Sequence, residues 1–289
     1  MSSILTNTSA MNALATLKDV NRGLNQTQDR VSTGLKVASG KDNAAYFAVS
    51  ETMKGDSGMF KAINEGMTAT KNSVATARLG AETVSDIAQQ IVERVAFAQT
   101  DGVDRADVQL EIDALVENMT SAIAQSTFNG DNLVDGVYKN DSAGNPLTEV
   151  SVVNGIKRTG TGITATTFAF NEVNLTAIKD AFATIDLESL AANTGGTTMA
   201  EKLATAEAQL GEAITAATSL GITENTLDSQ MQFIDSLTDT LDSGVSSMVD
   251  ADMEEEAARL QAYQVQQQLA TQSLSIANQA PQNILSLFR

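Results

Sequence analysis

The sequence predicts a mainly α protein: long helical rods and a terminal coiled coil, with a small β-containing insert in the middle of the chain. Three observations carry that prediction. Apolar residues recur in alternating steps of four and three in both halves of the 289 residues, the period of helices wound in a left-handed supercoil. Aromatic residues are only 4% of the chain, with no Trp, so helices must pack closely through small side chains. From about residue 130 to 196 the steps lapse, and Gly, Asn and Thr cluster as in turns and short strands.

The elements follow in order. Ala10, Leu14, Leu17, Asn21, Leu24, Gln28, Val31 and Leu35 form a first seam with two polar interruptions, which fix register at some cost in stability; Gly34 and Gly40 close its helix. Ile63, Met67, Thr70, Val74, Ala77, Ala81, Val84, Ala88, Ile91, Val95 and Ala98 form a longer one, roughly 50 Å at about 1.5 Å per residue. "TDGVD" ends it, and Val108, Ile112, Leu115, Met119 and Ala122 mark a third helix. In the insert, "TEVSVV" and "TATTFAF" read as strands, with Asn154-Gly155 as a turn signal, and "NLTAIKDAFATI" as a short helix. The seam returns at Met199, Leu203, Ala206, Leu210, Ala213, Ala217 and Leu220, up to Gly221. Beyond it come Leu227, Met231, Ile234, Thr238, Leu241, Val245 and Met248. From about residue 251 a Gln-rich helix carries two stripes: Ala258, Ala262, Val265, Leu269 and Ile276 on one, Leu260 and Leu274 on the other. Two stripes require more than one packing neighbour. Pro146 and Pro281 lie outside the long seams, as uninterrupted rods require.

Composition removes most chemistry. There is no Cys and no His, hence no disulfide framework, no thiolate or imidazole metal site, and no Ser-His-Asp or Cys-His nucleophile. The net charge of −18 repels phosphate backbones, so nucleic acid is not expected as a partner. No apolar run reaches membrane-spanning length, so no membrane insertion is expected, and the first residues lack the pattern of a cleaved secretory signal. "GTGITA" has dinucleotide-loop spacing but is followed by β-branched residues rather than a helix start. "SGKD" has Asp42 where a phosphate loop needs Ser or Thr, and "DNLVDG" lacks the alternating ligands of a calcium loop. No catalytic residue, metal site or cofactor is predicted. The acidic run Asp250, Asp252, Glu254, Glu255 and Glu256 suits a helix N-terminus; it could also face Lys36 and Lys41.

The last nine residues, "PQNILSLFR", carry Ile284, Leu285, Leu287 and Phe288 almost to the chain end. Bare apolar surface at a fraying terminus invites association. A lone pair of terminal helices with Asn and Gln in its seams is marginal against the entropy of ordering it. The termini are therefore expected to be mobile in the monomer and to order against other copies. The candidate interface residues are Leu14, Leu17, Leu24, Val31, Leu35, Val265, Leu269, Ile276, Ile284, Leu285, Leu287 and Phe288. Two different faces used by one monomer make heterologous contacts, which generate a helical filament where they do not close into a ring.

The N-terminal "TNTSAMNAL" and "RVSTGLKVASGKDNAAYFAVSE", the C-terminal "VDADMEEEAARLQAYQVQQQLATQSLSIANQAPQNILSLFR" and the internal "TFNGDNLVDG" resemble bacterial flagellin in its short-insert, alphaproteobacterial form. The resemblance implies a terminal coiled coil, D0, from residues 1–42 and 250–289, and a helical rod domain, D1, from residues 43–130 and 197–249. Residues 131–196 are then a reduced surface insert. It implies a filament subunit for swimming motility, exported unfolded through the flagellar type III apparatus and homopolymerising outside the cell. An export chaperone is expected on the C-terminal helix, from about Leu260 to Phe288, with hook-associated and cap proteins as further partners. A hook–filament junction protein, which shares the terminal helices, is the alternative. The stretch read by an innate immune receptor in many flagellins has its charge order reversed here, as Val92-Glu93-Arg94-Val95-Ala96, so that recognition is not carried over.

Overall fold

The computed structural model describes residues 7–136, 139–140, 146–147, 149–159, 162–188 and 198–286. Among them are six helices: α1 (Thr8–Thr33), α2 (Ala44–Phe97), α3 (Arg105–Gln125), α4 (Leu175–Ala183), α5 (Met199–Val249) and α6 (Met253–Ser286). Three two-stranded antiparallel ribbons lie between α3 and α4: β1 (Thr127–Phe128) with β2 (Asp131–Asn132), β3 (Lys139–Asn140) with β4 (Pro146–Leu147), and β5 (Glu149–Thr159) with β6 (Gly162–Asn171). The fold is thus mainly α with a small β-containing insert. The chain divides into two compact units, residues 1–57 with 239–289 and residues 58–238.

In the unit of residues 58–238 the long seam of α2 is its core. Met67, Val74, Ala77, Ala81, Val84, Ala88, Ile91, Val95 and Ala98 are all fully buried. α5 runs antiparallel to α2, and polar rungs flank the seam at heptad spacing. Asn64 Nδ2 donates to Asp235, Lys71 pairs with Asp228, and Arg78 Nε donates to Glu224 at 2.7 Å. Gly221 does not divide α5: the helix runs straight through it, with Leu220, Thr223 and Leu227 buried in turn. α3 folds back on α2 after the 98–104 turn, held by Arg94 to Glu111 at 3.0 Å. At its end Ser126 lies so close to Gly80 that a Cβ there would sit 2.0 Å from Ser126 Oγ. Only glycine permits that approach.

The insert corrects one expectation. Asn154-Gly155 is not a hairpin turn: the β5–β6 register shifts between Val153 and Gly155, a bulge within a ribbon that continues to Thr159 and Gly162. The tight Asn-Gly turn lies instead at Asn129 (φ 52°) and Gly130 (φ 87°), joining β1 to β2. Two successive positive φ angles make this the mirror-image turn that matches strand twist. Asn174 caps α4 by accepting from the Ala177 N–H at 2.9 Å. α4 buries Leu175, Ile178 and Phe182, and the following Leu187 N–H donates to Gln109 of α3 at 2.8 Å. A second difference concerns Pro281, which falls inside α6.

Candidate subunit interface

In the unit formed by the chain ends, α1 and α6 pair antiparallel. Asn7 Nδ2 donates to the Ala277 carbonyl at 2.8 Å, Gln267 Nε2 to Asn21 Oδ1 at 2.7 Å, and Arg30 to Glu256 Oε1 at 3.1 Å. Between these rungs Gly23 admits the Tyr263 ring, which a Cβ would meet at 2.6 Å. Gly34, at φ 73°, caps α1 and returns its N–H to Arg30. Beyond it the two sections stay joined: Lys36 and Val37 donate to the Val249 carbonyl, and Ala251 donates to Gly34. Val37, Val245 and Val249 make a small core there, with Leu35, Phe47 and Met53 against it.

The acidic run splits its work. Asp252 Oδ1 accepts from the N–H groups of Glu254 and Glu255 and so starts α6, while Glu254, Glu255 and Glu256 occupy its first turn, as the helix dipole favours. Glu256 is buried and receives Arg30 and Arg259. The cation that reaches the run from the N-terminal section is thus Arg30, rather than the expected Lys36 or Lys41.

The two stripes of α6 have different fates. The one facing α1 is Glu256, Leu260, Tyr263, Gln267, Ala270, Leu274 and Ala277, all buried or half-buried. The more apolar stripe faces away, with Val265 55%, Leu269 57% and Ile276 69% exposed. On α1 the covered positions include Ala10, Ala13, Leu17, Val20, Asn21, Leu24, Thr27, Arg30 and Val31, with Val20 and Thr27 buried. Of the expected seam, Ala10, Leu17, Asn21, Leu24, Val31 and Leu35 are half-buried, while Leu14 and Gln28 are exposed. Leu14 and Met11 add apolar area on that open side. A groove of about 320 Å³ runs between the helices, lined by Ala13, Val20, Leu269 and Ala270 among others. Leu35 sits against the small core of Val37 and Val249. Leu287 and Phe288 lie outside the described residues, as do the side chains of Ile284 and Leu285. Among the described residues no helix is long and apolar enough to cross a membrane.

Comparison with known proteins decides what such a helix pair belongs to. Residues 4–139 match the bacterial flagellin N-terminal helical region and residues 203–288 match the bacterial flagellin C-terminal helical region. A flagellin of Brucella melitensis biotype 1 is 37% identical over the full length of both chains. The chain is a member of the bacterial flagellin family. Flagellin FljM of Caulobacter vibrioides is 32% identical, covering all of this chain and 99% of that protein; flagellin A of Rhizobium meliloti is 31% identical with both chains covered completely. A solved structure described as a flagellar hook-associated protein from Vibrio parahaemolyticus superposes with a TM-score of 0.53 at 13% identity, over 72% of this chain and all of that one. This last likeness speaks for the fold alone. As a flagellin, the protein is a structural subunit of the flagellar filament, a self-assembling polymer that serves swimming motility.

Proposed function

We propose that this flagellin polymerises through the uncovered stripe of α6, with the terminal helix pair as the filament-core element. The observation that carries the proposal is the division of labour on α6: α1 covers the stripe of Leu260, Tyr263, Gln267, Ala270 and Leu274, and Val265, Leu269 and Ile276 stay more than half exposed. Removing an apolar side chain of this size from water contributes about 1.5–3 kcal/mol, so repeating the contact at every subunit favours the polymer. Leu14 supplies the matching surface on α1, while Leu17, Leu24 and Val31 hold the pair together and Leu35 anchors its base. Ile284, Leu285, Leu287 and Phe288 are assigned to the same interface on their apolar character in the sequence alone. The same α6 surface, from about Leu260 onward, suits an export chaperone that covers it before assembly, while hook-associated and cap proteins meet it at the ends of the filament. Export runs unfolded through the flagellar type III apparatus, the filament stands outside the cell, and the chain performs no catalysis.

The test is elongation of short filament seeds by purified subunits, followed by electron microscopy. Val265→Ser, Leu269→Ser and Ile276→Ser combined should leave the helical content of the free subunit nearly unchanged, since all three are more than half exposed and only Leu269 borders the groove with α1, and should abolish growth. Wild-type growth by the triple variant would refute the interface; loss of helix in the free subunit would mean that the stripe is an internal core.

A further inference from the structure

The polar rungs between α2 and α5 leave the alignment of the two helices open. Asn64, Lys71 and Arg78 follow one another on α2 at intervals of seven, and so do Asp228, Asp235 and Asp242 on α5. The buried seam between them is built from Ala, Val, Ile, Leu and Met at heptad steps. Sliding α5 by one heptad, about 10 Å at about 1.5 Å per residue, would set Lys71 against Asp235 and Arg78 against Asp228. The rungs would keep their carboxylates, so something else must choose the register.

Two enclosed oxygens mark a place that could. Thr238 is 5% exposed and Asn64 is half-buried. Thr238 Oγ1 and Asn64 Oδ1 are buried and have no hydrogen-bond partner among the described residues. Thr238 departs from the habit of its helix. Thr205, Thr215, Thr218, Thr223 and Thr226 each donate to the carbonyl four residues back. Thr223 does so although it too is buried, so burial alone does not deny Thr238 that bond. The two oxygens lie at one level of the helix pair. Asn64 is held to Asp235 through Nδ2, Thr238 stands one turn along α5 from Asp235, and its burial turns it toward α2. The surroundings are apolar, with Phe60 and Met67 of α2 and Ile234 of α5 all buried.

We infer that Asn64 Oδ1 and Thr238 Oγ1 share one internal water, and that this site fixes the register of α2 against α5. The amide oxygen only accepts, whereas the hydroxyl both donates and accepts. One water, donating to Asn64 and exchanging a hydrogen bond with Thr238, satisfies both, and two to four polar partners are what a buried water needs. A metal ion does not suit the place. Hard cations take about six or more oxygens, and the one carboxylate at this level, Asp235, already accepts from Asn64. The residues seven positions either side of Thr238 are Met231 and Val245. A slide in either direction therefore brings a side chain without a hydroxyl to Asn64 and leaves the amide oxygen buried and bare, which is the costly outcome for a polar group. A single buried Asn sets register in coiled coils by the same penalty. The site lies inside one subunit and is independent of the filament interface.

Three measurements on the free full-length subunit test it. Water-selective NMR should show cross-relaxation between a long-lived water and the Thr238 side chain, lost in Asn64→Leu; no such signal in the wild type overturns the site. Thr238→Val strands Asn64 and should lower the melting temperature by roughly 2–6 °C. Adding Asn64→Leu makes the place apolar on both sides and should recover part of that loss, whereas additive losses mean that the two residues do not share a partner. Register is read with spin labels, which the absence of native cysteine permits. Gln90→Cys and Gln232→Cys place labels at exposed positions of α2 and α5. Dipolar electron paramagnetic resonance should give one distance in the otherwise wild-type chain. With Asn64→Leu and Thr238→Val added, a second population should appear, displaced by roughly 10 Å, one heptad of helix. A single unchanged distance in that chain overturns the register role even where the water is found.

Discussion

Ser39 and Asp42 illustrate what single residues settle. Asp42 Oδ2 accepts from the Ser39 hydroxyl at 3.1 Å and from the N–H groups of Ser39 at 3.0 Å and Ala38 at 3.2 Å. The Ser39 hydroxyl bond is the largest cause that lowers the Asp42 pKa from 3.8. A carboxylate with a depressed folded-state pKa adds stability above its unfolded value and loses it as pH falls through the folded one. Asp42 should therefore titrate below 3.8 in a carbon-detected NMR titration, and Ser39→Ala should move it back up. At Gly80 the limit is space. Gly80→Ala forces apart α2 and Ser126, so overpacking of about 1–3 kcal/mol outweighs the roughly 1 kcal/mol that alanine gains in a helix. Thermal unfolding should show net destabilisation, and Ser126→Gly in the same chain should recover part of it. The Asn-Gly pairs show how far a dipeptide can be trusted. "FNG" joins two strands of two residues each and reverses the chain at once, whereas Asn154-Gly155 lies inside β5, where Asn154 is the extra residue of a bulge opposite consecutive residues Thr166 and Thr167.

At the scale of the element, legibility followed the strength of the period. The α2 seam was readable almost to the residue because Val, Ile, Met and Ala occupy its inward positions with Thr70 as the one interruption; Met67 and the positions from Val74 onward are completely buried, and Ile63 and Thr70 are half-buried. Ile91→Ala should cost about 2–5 kcal/mol, measured by chemical denaturation followed at helical ellipticity. The start of α2 was not readable from that stripe: the helix begins at Ala44 under an Asn43 cap that accepts from Ala45 and Tyr46 at 3.1 Å, a signal carried by one polar side chain rather than by periodicity. α1 was harder for a physical reason. It has apolar residues on the side that α6 covers and on the side that it leaves open, so a seam drawn from hydrophobicity alone averages the two and misses Val20 and Thr27. The uncovered stripe of α6 was visible as a stripe, but that α1 would choose the Gln- and Tyr-bearing face depended on Asn21, Gly23 and Arg30 meeting Gln267, Tyr263 and Glu256, pairings that no local pattern encodes.

For the whole molecule, charge sets the terms of assembly. At −18 per copy, like-charged subunits approach against a field that reaches about 30 Å at 0.01 M salt and about 8 Å at 0.15 M. Seeded elongation should therefore speed up across that range and level off above it; slower growth with added salt would indicate that ion pairs, rather than apolar stripes, drive the addition of subunits. The terminal pair has a further mechanical property. Asn7 lies beside Ala277, so the start of α1 and the C-terminal part of α6 lie at the same end of the pair. Tension applied between them loads its rungs one after another, Asn7 with Ala277 before Asn21 with Gln267, and Arg30 with Glu256 last. Joints loaded in that peeling geometry part at low force, so a solitary subunit held at its two ends should open gradually, whereas one gripped along its flank by sister molecules is loaded in shear and holds.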